Sequence, residues 1–390
     1  MKRFKIILKL LIFGTILVSF CAVSSPQFKF TVSSFFEIQL DTLQIALNDL
    51  NKISQQKELL VDKIKNTKDS LDFFKVELLN NDQQSYLLNQ EFYCEKVDSC
   101  KNILLPKILQ LKMRNEELNK KNIPSLKLKL EKENSDSGEI VKKQDQQVKK
   151  IQQNAALVYG SRKILYKGGW YYIFVVNTDS SKILMHHKDT VTKRPYNSIG
   201  NVYKALAKNN LKPLMITNAG MYTSSFEPQG LFIENYKELY PIDTGKPNSN
   251  NFYLKPNGVF FIDNENKPGI NTTEDFISKY RSKKNKIKFA TQSGPMLLIG
   301  GEIHPVFQNN STNRKIRSGV GIVSNKKVVF IISIDEVNFY DFAYLFKLLF
   351  NSKDALFLDG AISRMYLYDL APQEKGGSFG PMISVVKGAQ

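Results

Sequence analysis

What most restricts the fold of this chain is an absence. From Phe35 to Leu79 there is neither Gly nor Pro. Leu43, Leu47 and Leu50 recur at spacings of 4 and 3, and Leu60, Ile64, Thr67, Leu71, Phe74 and Leu78 continue a similar seam after a slip near Ile53. Lys, Gln, Asp and Glu fill the other faces, so the stretch reads as a long helix. Lys101 to Leu130 repeats the pattern with Leu104, Ile108, Leu111 and Leu118. Pro106 there suits a helix start, and Pro124 a break or kink. Asn134 to Gly138 reads as a polar break, followed by a polar helix or linker from Glu139 to Gln153. Two helical arms make a hairpin, with Cys94 and Cys100 near its turn. Six residues of straight helix would hold their Cα atoms about 9 Å apart, beyond disulfide reach of about 7 Å. A bond between them therefore requires the chain to turn.

After Leu157 the texture changes. Aromatic and β-branched runs appear between Gly, Asn and Pro: Trp170 to Val176, Leu214 to Thr217, Gly230 to Ile233, Gly258 to Ile262, Gly319 to Val323 and Val328 to Ile334. These are strand signals with turn punctuation. Tyr203 to Ala207 and Asp341 to Phe350 keep a helical period instead. The expected fold class is α+β, a C-terminal mixed β-sheet domain with helices behind a helical, coiled-coil-like region. The expected division is a leader or anchor over 1–25, the helical region over 26–155 and the sheet domain over 156–390.

The leader sets the expected compartment. Met1 to Lys5 is basic, Ile6 to Cys21 is apolar apart from Lys9, Thr15 and Ser19, and Ala22-Val23-Ser24 offers small residues for cleavage. It reads as a cleaved signal, an uncleaved membrane anchor or, through Cys21, a lipoprotein signal, although Phe20 is a poor residue before a lipidated Cys. Each outcome puts the protein outside the cytoplasm: periplasmic, at the cell surface or secreted. A pair of remaining cysteines suits that oxidising setting. The formal charge of +18 favours polyanionic partners, or simply solubility, the lysines being spread along the chain. No zinc-finger spacing or RNA-binding signature accompanies it, so nucleic acid is not expected. Anionic headgroups and phosphate-bearing polysaccharide remain. The helical region reads as a spacer, a protein-partner site or a bundle packed on the sheet domain.

Four segments set polar residues at the ends of strand-like runs, with Gly close behind. Asn218-Ala219-Gly220-Met221-Tyr222 follows Leu214 to Thr217, with Glu227 in the next loop. Gln292-Ser293-Gly294-Pro295 precedes an apolar run, with His304-Pro305 beyond it. Arg317-Ser318-Gly319 opens another run, and Asp359-Gly360 with Ser363 closes the last. Strand ends hold such side chains still at a rim where ligands bind. Each segment alone also reads as an ordinary turn. His186-His187 reads as surface. With three His and no cysteine cluster, neither a transition-metal site nor a cofactor is expected, while an oxygen-built Ca²⁺ site stays open.

In this order the segments resemble the phosphodiester glycosidase family, most closely its exported bacterial branch. That branch also carries Asn-Phe-x-Leu-x-Pro-Asn-Gly-Val-Phe, here Asn251 to Phe260. The likeness runs from about Lys163 to Tyr368 and leaves out the helical region. Where the wider family ends its last motif in Asp-Gly-Gly-Gly-Ser, this chain has Asp359-Gly360-Ala361-Ile362-Ser363. The resemblance implies cleavage of the C1–O bond of a sugar-1-phosphodiester in a glycan or phosphate-bearing polysaccharide. Such chemistry needs a carboxylate for the oxocarbenium ion and a cation for the phosphate. Asp359 is expected in the first role and Arg317 in the second, with His304 as general acid. Asn218, Gln292, Ser293 and Ser363 are expected to bind substrate, with Glu227 a weaker second carboxylate. Asn218, Gln292, Arg317 and Asp359 should then share one cleft, the two charges on the order of 5 to 10 Å apart. The alternatives are a non-catalytic glycan- or phosphate-binding module, or a structural envelope protein whose helical region binds a partner.

Overall fold

The computed structural model describes residues 26–94, 98–156, 158–246, 251–280, 286–360, 362–370 and 375–388, with backbone alone for 26–42, 86 and 88–104. The leader lies outside them. No helix among the described residues is long and apolar enough to cross a membrane. Two compact units result, one of residues up to 47 and from 151 on, the other of residues 48–150.

The second unit is made of helical arms. Helix α1 runs without interruption over Pro26–Cys94, as its lack of breakers requires. Helix α2 spans Asp98–Glu117, and α3 spans Ile123–Ala156. The arms run antiparallel: Arg114 on α2 grips Glu77 on α1 through Nε at 2.8 Å, and Lys57 reaches Gln144 on α3 at 3.3 Å. The cysteines flank the break between α1 and α2, Cys94 ending one helix and Cys100 lying in the first turn of the next. Their side chains are outside the described residues.

Three local expectations need correction. Pro106 lies inside α2 rather than at its start. A single Pro costs one ladder bond and about 3 kcal/mol, which a long arm outlasts. Pro124 does not end the helix. A π-helical turn over Leu118–Asn122 precedes it, and the Ile123 N–H donates to the Leu118 carbonyl. The widened turn takes up the strain where the ring clashes and no N–H is offered. The break at Asn134 to Gly138 is continuous helix within α3. Those residues weaken a helix by only about 0.5–1 kcal/mol each, less than the neighbouring turns supply.

The first unit holds three antiparallel sheets. The seven-stranded sheet has the order β1 (Gly160–Tyr166), β2 (Gly169–Asn177), β13 (Lys327–Ser333), β12 (Ser318–Ser324), β14 (Ala355–Asp359), β10 (Met296–Ile299), β11 (Glu302–Ile303). The four-stranded sheet runs β15 (Met365–Leu367), β4 (Pro213–Asn218), β16 (Met382–Lys387), β3 (Ser181–His186). The five-stranded sheet runs β6 (Lys237–Tyr240), β5 (Phe232–Glu234), β9 (Ile287–Ser293), β7 (Gly258–Asp263), β8 (Pro268–Thr272).

One core lies between the sheets. Phe174, Val320, Phe330, Leu356 and Leu358 come to it from the first sheet, Met215, Ile383 and Val385 from the second, and Phe232, Phe260 and Phe289 from the third. A helix packs on the outer face of each of the three sheets as well. Helix α4 (Ile199–Lys208) lays Ile199, Val202 and Leu206 against Ile216, Met382 and Val386 of the four-stranded sheet. Helix α5 (Thr273–Tyr280) sets Phe276 against Val259 and Phe261 of the five-stranded sheet. Helix α6 (Phe339–Phe350) buries Phe342, Leu345, Phe346 and Leu349, and Phe342 approaches β12 at Gly319. Strands covered on both faces read as continuous apolar runs rather than alternations, which is the texture of the sequence after Leu157. Helices α4 and α6 are capped by Ser198 and Asn338, whose side chains accept the backbone N–H of Asn201 and Asp341 respectively.

Candidate active site

The strand ends bring three of the expected residues together. Asn218 ends β4 and Asp359 ends β14, and the Asn218 Nδ2 donates to Asp359 Oδ2 at 3.0 Å. The same amide lies 3.4 Å from Ser363 Oγ. Ser363 Oγ in turn lies 2.9 Å from Ser318 Oγ, and Ser318 Oγ donates to the Asp359 backbone carbonyl at 3.3 Å. Asp359 Oδ1 accepts the Gly360 N–H at 2.7 Å. Asn218 is itself fixed, because its Oδ1 accepts the Arg364 backbone N–H at 3.2 Å. Two sheets are thus joined at their ends through one side-chain amide.

The backbone explains why these residues meet. Ser318 pairs with Asp359, and the next pair is Gly319 with Phe357, so Leu358 is an extra residue in β14. Such a bulge re-aims the following side chain and commonly sits beside a functional site. Ser293, at the end of β9, donates to the Leu358 carbonyl at 2.8 Å and holds the bulge from behind. Gly220 rests directly on the Gln292 carbonyl, so that a Cβ there would collide with it. This close approach is why Gly follows Asn218-Ala219.

Asp359 is half-buried, and its electrostatics follow from this setting. Burial raises its carboxyl, and the donors Gly360 and Asn218 pull it back only in part, so that it titrates at about 6. No cation is among the groups that set this value. Among the described residues the carboxylate accepts from two donors and is in no ion pair, which leaves lone pairs for a ligand.

The other expected residues lie elsewhere or serve the fold. Arg317 does not face Asp359, which corrects its assignment to the phosphate. Successive residues of a strand point to opposite faces, and Ser318 faces Asp359. The Arg317 side chain is sealed beneath α6, with its guanidinium carbon 3.5 Å from the centre of the Phe339 ring. Its Nε donates to the Val337 carbonyl at 2.8 Å and an Nη to Asn313 at 2.9 Å. Burial without an anion lowers it to about 10. Gln292 is no ligand either. Its Oε1 accepts from Leu231 and Asp243, each at 2.9 Å, and its Nε2 donates to Asp243 at 2.7 Å and to Thr273 at 3.0 Å. All four of its positions are spent within the protein, as an internal latch. Ser293 spends its hydroxyl on the bulge.

His304 is buried, with Nε2 donating to the Lys255 carbonyl at 3.0 Å and Nδ1 accepting from Val306 at 3.3 Å. Burial lowers its pKa, and its Nε2 proton is spent on the Lys255 carbonyl. It is not the general acid. Glu227 is taken by Lys188, with Nζ to its two oxygens at 3.0 and 3.1 Å. His187 is buried rather than on the surface, and its Nε2 lies 3.2 Å from the Phe226 carbonyl. Asp335, just after β13, accepts the Trp170 N–H at 2.7 Å. No cluster of three metal-ligating side chains occurs among the described residues.

Sequence reading missed three neighbours of the site. Ser318 follows Arg317 and takes the inward position. Tyr222 lies close enough for the Asp359 charge to hold its phenol protonated, after burial as the main cause. Arg364 has an exposed side chain one residue after Ser363. The signals were present: strand alternation for Ser318, an aromatic directly after Asn-Ala-Gly-Met for Tyr222, and the adjacent cation for Arg364.

Together these residues make a polar site at the joined ends of two sheets: a desolvated carboxylate with hydroxyls and an amide around it. Residues 212–384 match the model of the phosphodiester glycosidase family. The chain is also 35% identical over 214 residues to the uncharacterised protein YigE of Escherichia coli (strain K12), covering 54% of this chain and 80% of that protein. The chain belongs to the phosphodiester glycosidase family. Asn218, Tyr222, Ser318, Asp359, Ser363 and Arg364 all fall inside the matched segment, and the helical arms fall outside it.

Proposed function

We propose that this protein hydrolyses a glycosyl-1-phosphodiester of an envelope polymer or glycan, outside the cytoplasm. The observation that carries the reading is Asp359, a carboxylate titrating at about 6 that no cation among the described residues pairs with, at the meeting of β4, β12 and β14. Above that pH it is an anion placed to stabilise positive charge at an anomeric carbon or to take a proton from attacking water. A phosphate monoester departs as a stable anion, so the departing side needs no strong acid. This fits a site whose hydrogen-bonded residues include one carboxylate rather than the pair common among glycosidases. Asn218 and the Gly360 N–H hold the carboxylate, Ser318 holds the Asp359 backbone carbonyl and is joined to Ser363, and Arg364 is the cation whose backbone is tied into the same network.

The charge of the chain supports an anionic substrate. From residue 151 on, thirty Lys and Arg face eighteen Asp and Glu. The positive excess thus belongs mainly to the site-bearing part. The leader supports export. An intact Met1 on a freely soluble cytoplasmic form would contradict that part of the reading.

The test is release of phosphate monoester from methyl diesters of hexose 1-phosphates. Wild type should turn over at least one, and Asp359→Asn should lose about 10³-fold or more in kcat while still binding it. Arg364→Ala should weaken binding of the diester more than binding of the free sugar. An Asp359→Asn variant cleaving at the unmodified rate would refute the assignment.

A further inference from the structure

The loop that leaves Asn218 does more than connect β4 to β5. It folds back on itself: Gln229 N–H donates to the Met221 carbonyl at 2.9 Å, Thr223 N–H to Glu227 at 2.9 Å, and Phe226 N–H to Thr223 at 2.9 Å. Phe226 takes the left-handed region at φ 64°, a conformation that costs a non-Gly residue energy and persists only where surroundings fix it. Two straps supply that fixing from the end of β3. His187 bonds the Phe226 carbonyl, and Lys188 holds Glu227 through both oxygens while its ammonium also lies 3.3 Å from the Tyr240 hydroxyl.

The other side of the loop is pinned at the site. Tyr222 donates its hydroxyl to the Ser378 carbonyl at 2.8 Å, and its Cβ lies where any side chain at position 380 would need to be, which leaves room for Gly380 alone. Its ring stacks on Phe226 with centroids 5.9 Å apart and planes 24° from parallel. Both rings are half-exposed. A pair of aromatic faces, rigidly mounted next to a reactive carboxylate, is suited to the apolar C–H face of a sugar ring. The loop is unsuited to phosphate, since its nearby cation, Lys188, is already neutralised by Glu227.

We propose that the Tyr222–Phe226 pair is the sugar-seating wall, held in place by the His187 and Lys188–Glu227 straps, and that it selects the glycosyl group. This rests on the glycosidase reading and deepens it. Tyr222 and Phe226 touch the sugar; His187, Lys188 and Glu227 are positioning residues.

Binding of free glucose, galactose, mannose and N-acetylglucosamine, followed by saturation-transfer NMR and titration, tests it without requiring turnover. At least one should bind wild type, and both Tyr222→Ala and Phe226→Ala should weaken that sugar about tenfold or more. Binding of dimethyl phosphate should stay within about twofold in the same variants. Tyr222→Phe keeps the stacked ring and should stay within about threefold of wild type. Tyr222→Leu guards against a folding defect, because it keeps the apolar bulk yet should lose the sugar. Glu227→Gln should reduce sugar affinity by a smaller factor and leave dimethyl phosphate unchanged. Failure of wild type to bind any of the four sugars overturns the proposal, as does equal loss of sugar and dimethyl phosphate. A wild type that binds sugar at this wall yet cleaves no hexose diester would sink the glycosidase reading alone.

Discussion

The two faces of β12 carry polar clusters built one residue apart. On one face Arg317 is wholly enclosed, its bonds going to the Val337 and Asn313 carbonyls and its plane to Phe339. On the other face Ser318 leads to Ser363, Asn218 and Asp359, where the carboxylate is half-exposed and has two donors for its several lone pairs. Among the described residues, neither charge is paired with an opposite one. Their difference lies in exposure. An ion buried whole beneath a helix can serve only the fold, whereas a half-exposed one is open to a ligand.

Substitutions should separate the two faces. Next to the loss of turnover expected for Asp359→Asn, the largest effect belongs to Arg317. Arg317→Met should destabilise the protein by about 3 kcal/mol, because two carbonyls lose their donor and the cation–π contact with Phe339 disappears. Below its melting temperature the variant should keep kcat and KM within a few fold, as read from diester turnover beside chemical denaturation. A large drop in diester affinity with unchanged stability would reverse the roles of the two faces. Gln292→Ala should behave likewise, losing about 2–3 kcal/mol through the unlatching of Leu231 and Asp243.

Smaller effects sharpen the other face. Folding raises the Asp359 pKa from the ordinary range to about 6, so the native state loses stability as pH climbs from about 4 through 6 and then levels off. Asp359→Asn removes that cost. Thermal melts should therefore show the variant more stable than wild type at pH 8, with the gain shrinking toward pH 4. A gain independent of pH would mean that the carboxylate is not desolvated. The site would then be one more case of stability given up for function.

How far the sequence foretold this comparison depends on register. Asn218, Asp359 and Ser363 were legible because each ends or follows a strand-like run and is joined to a Gly that allows close approach. Arg317 was misread because its neighbour Ser318, not Arg317 itself, pairs with Asp359, and that pairing joins residues 41 apart in the chain. Strand alternation then decides which faces inward, but nothing local reports the register or the bulge at Leu358. Gln292 and His304 were misread for a similar reason, since their partners are backbone groups 49 residues away in Asp243 and Lys255. Runs such as Trp170 to Val176 and Asp341 to Phe350 were legible as a strand and a helix. The short or mixed elements β3, β6, β8, β15 and β16 were not marked, being set by the sheets they join. In the arms, local propensity misplaced a helix start at Pro106 and overstated the interruptions at Pro124 and Gly138, because a long helix outweighs one poor residue.

The central claim is that Asp359 reacts as an anion in a site it shares with Asn218. The most direct measurement is the pH dependence of kcat/KM for a methyl hexose-1-phosphate diester, in wild type and in Asn218→Ala. The wild-type rate should rise with pH and level off with an apparent pKa of about 6. Asn218 donates to the ionised form, so its loss should move the limb upward by roughly one pH unit as well as lower the plateau. A wild-type profile flat from pH 4.5 to 7.5, or a limb unmoved in Asn218→Ala, would contradict the account.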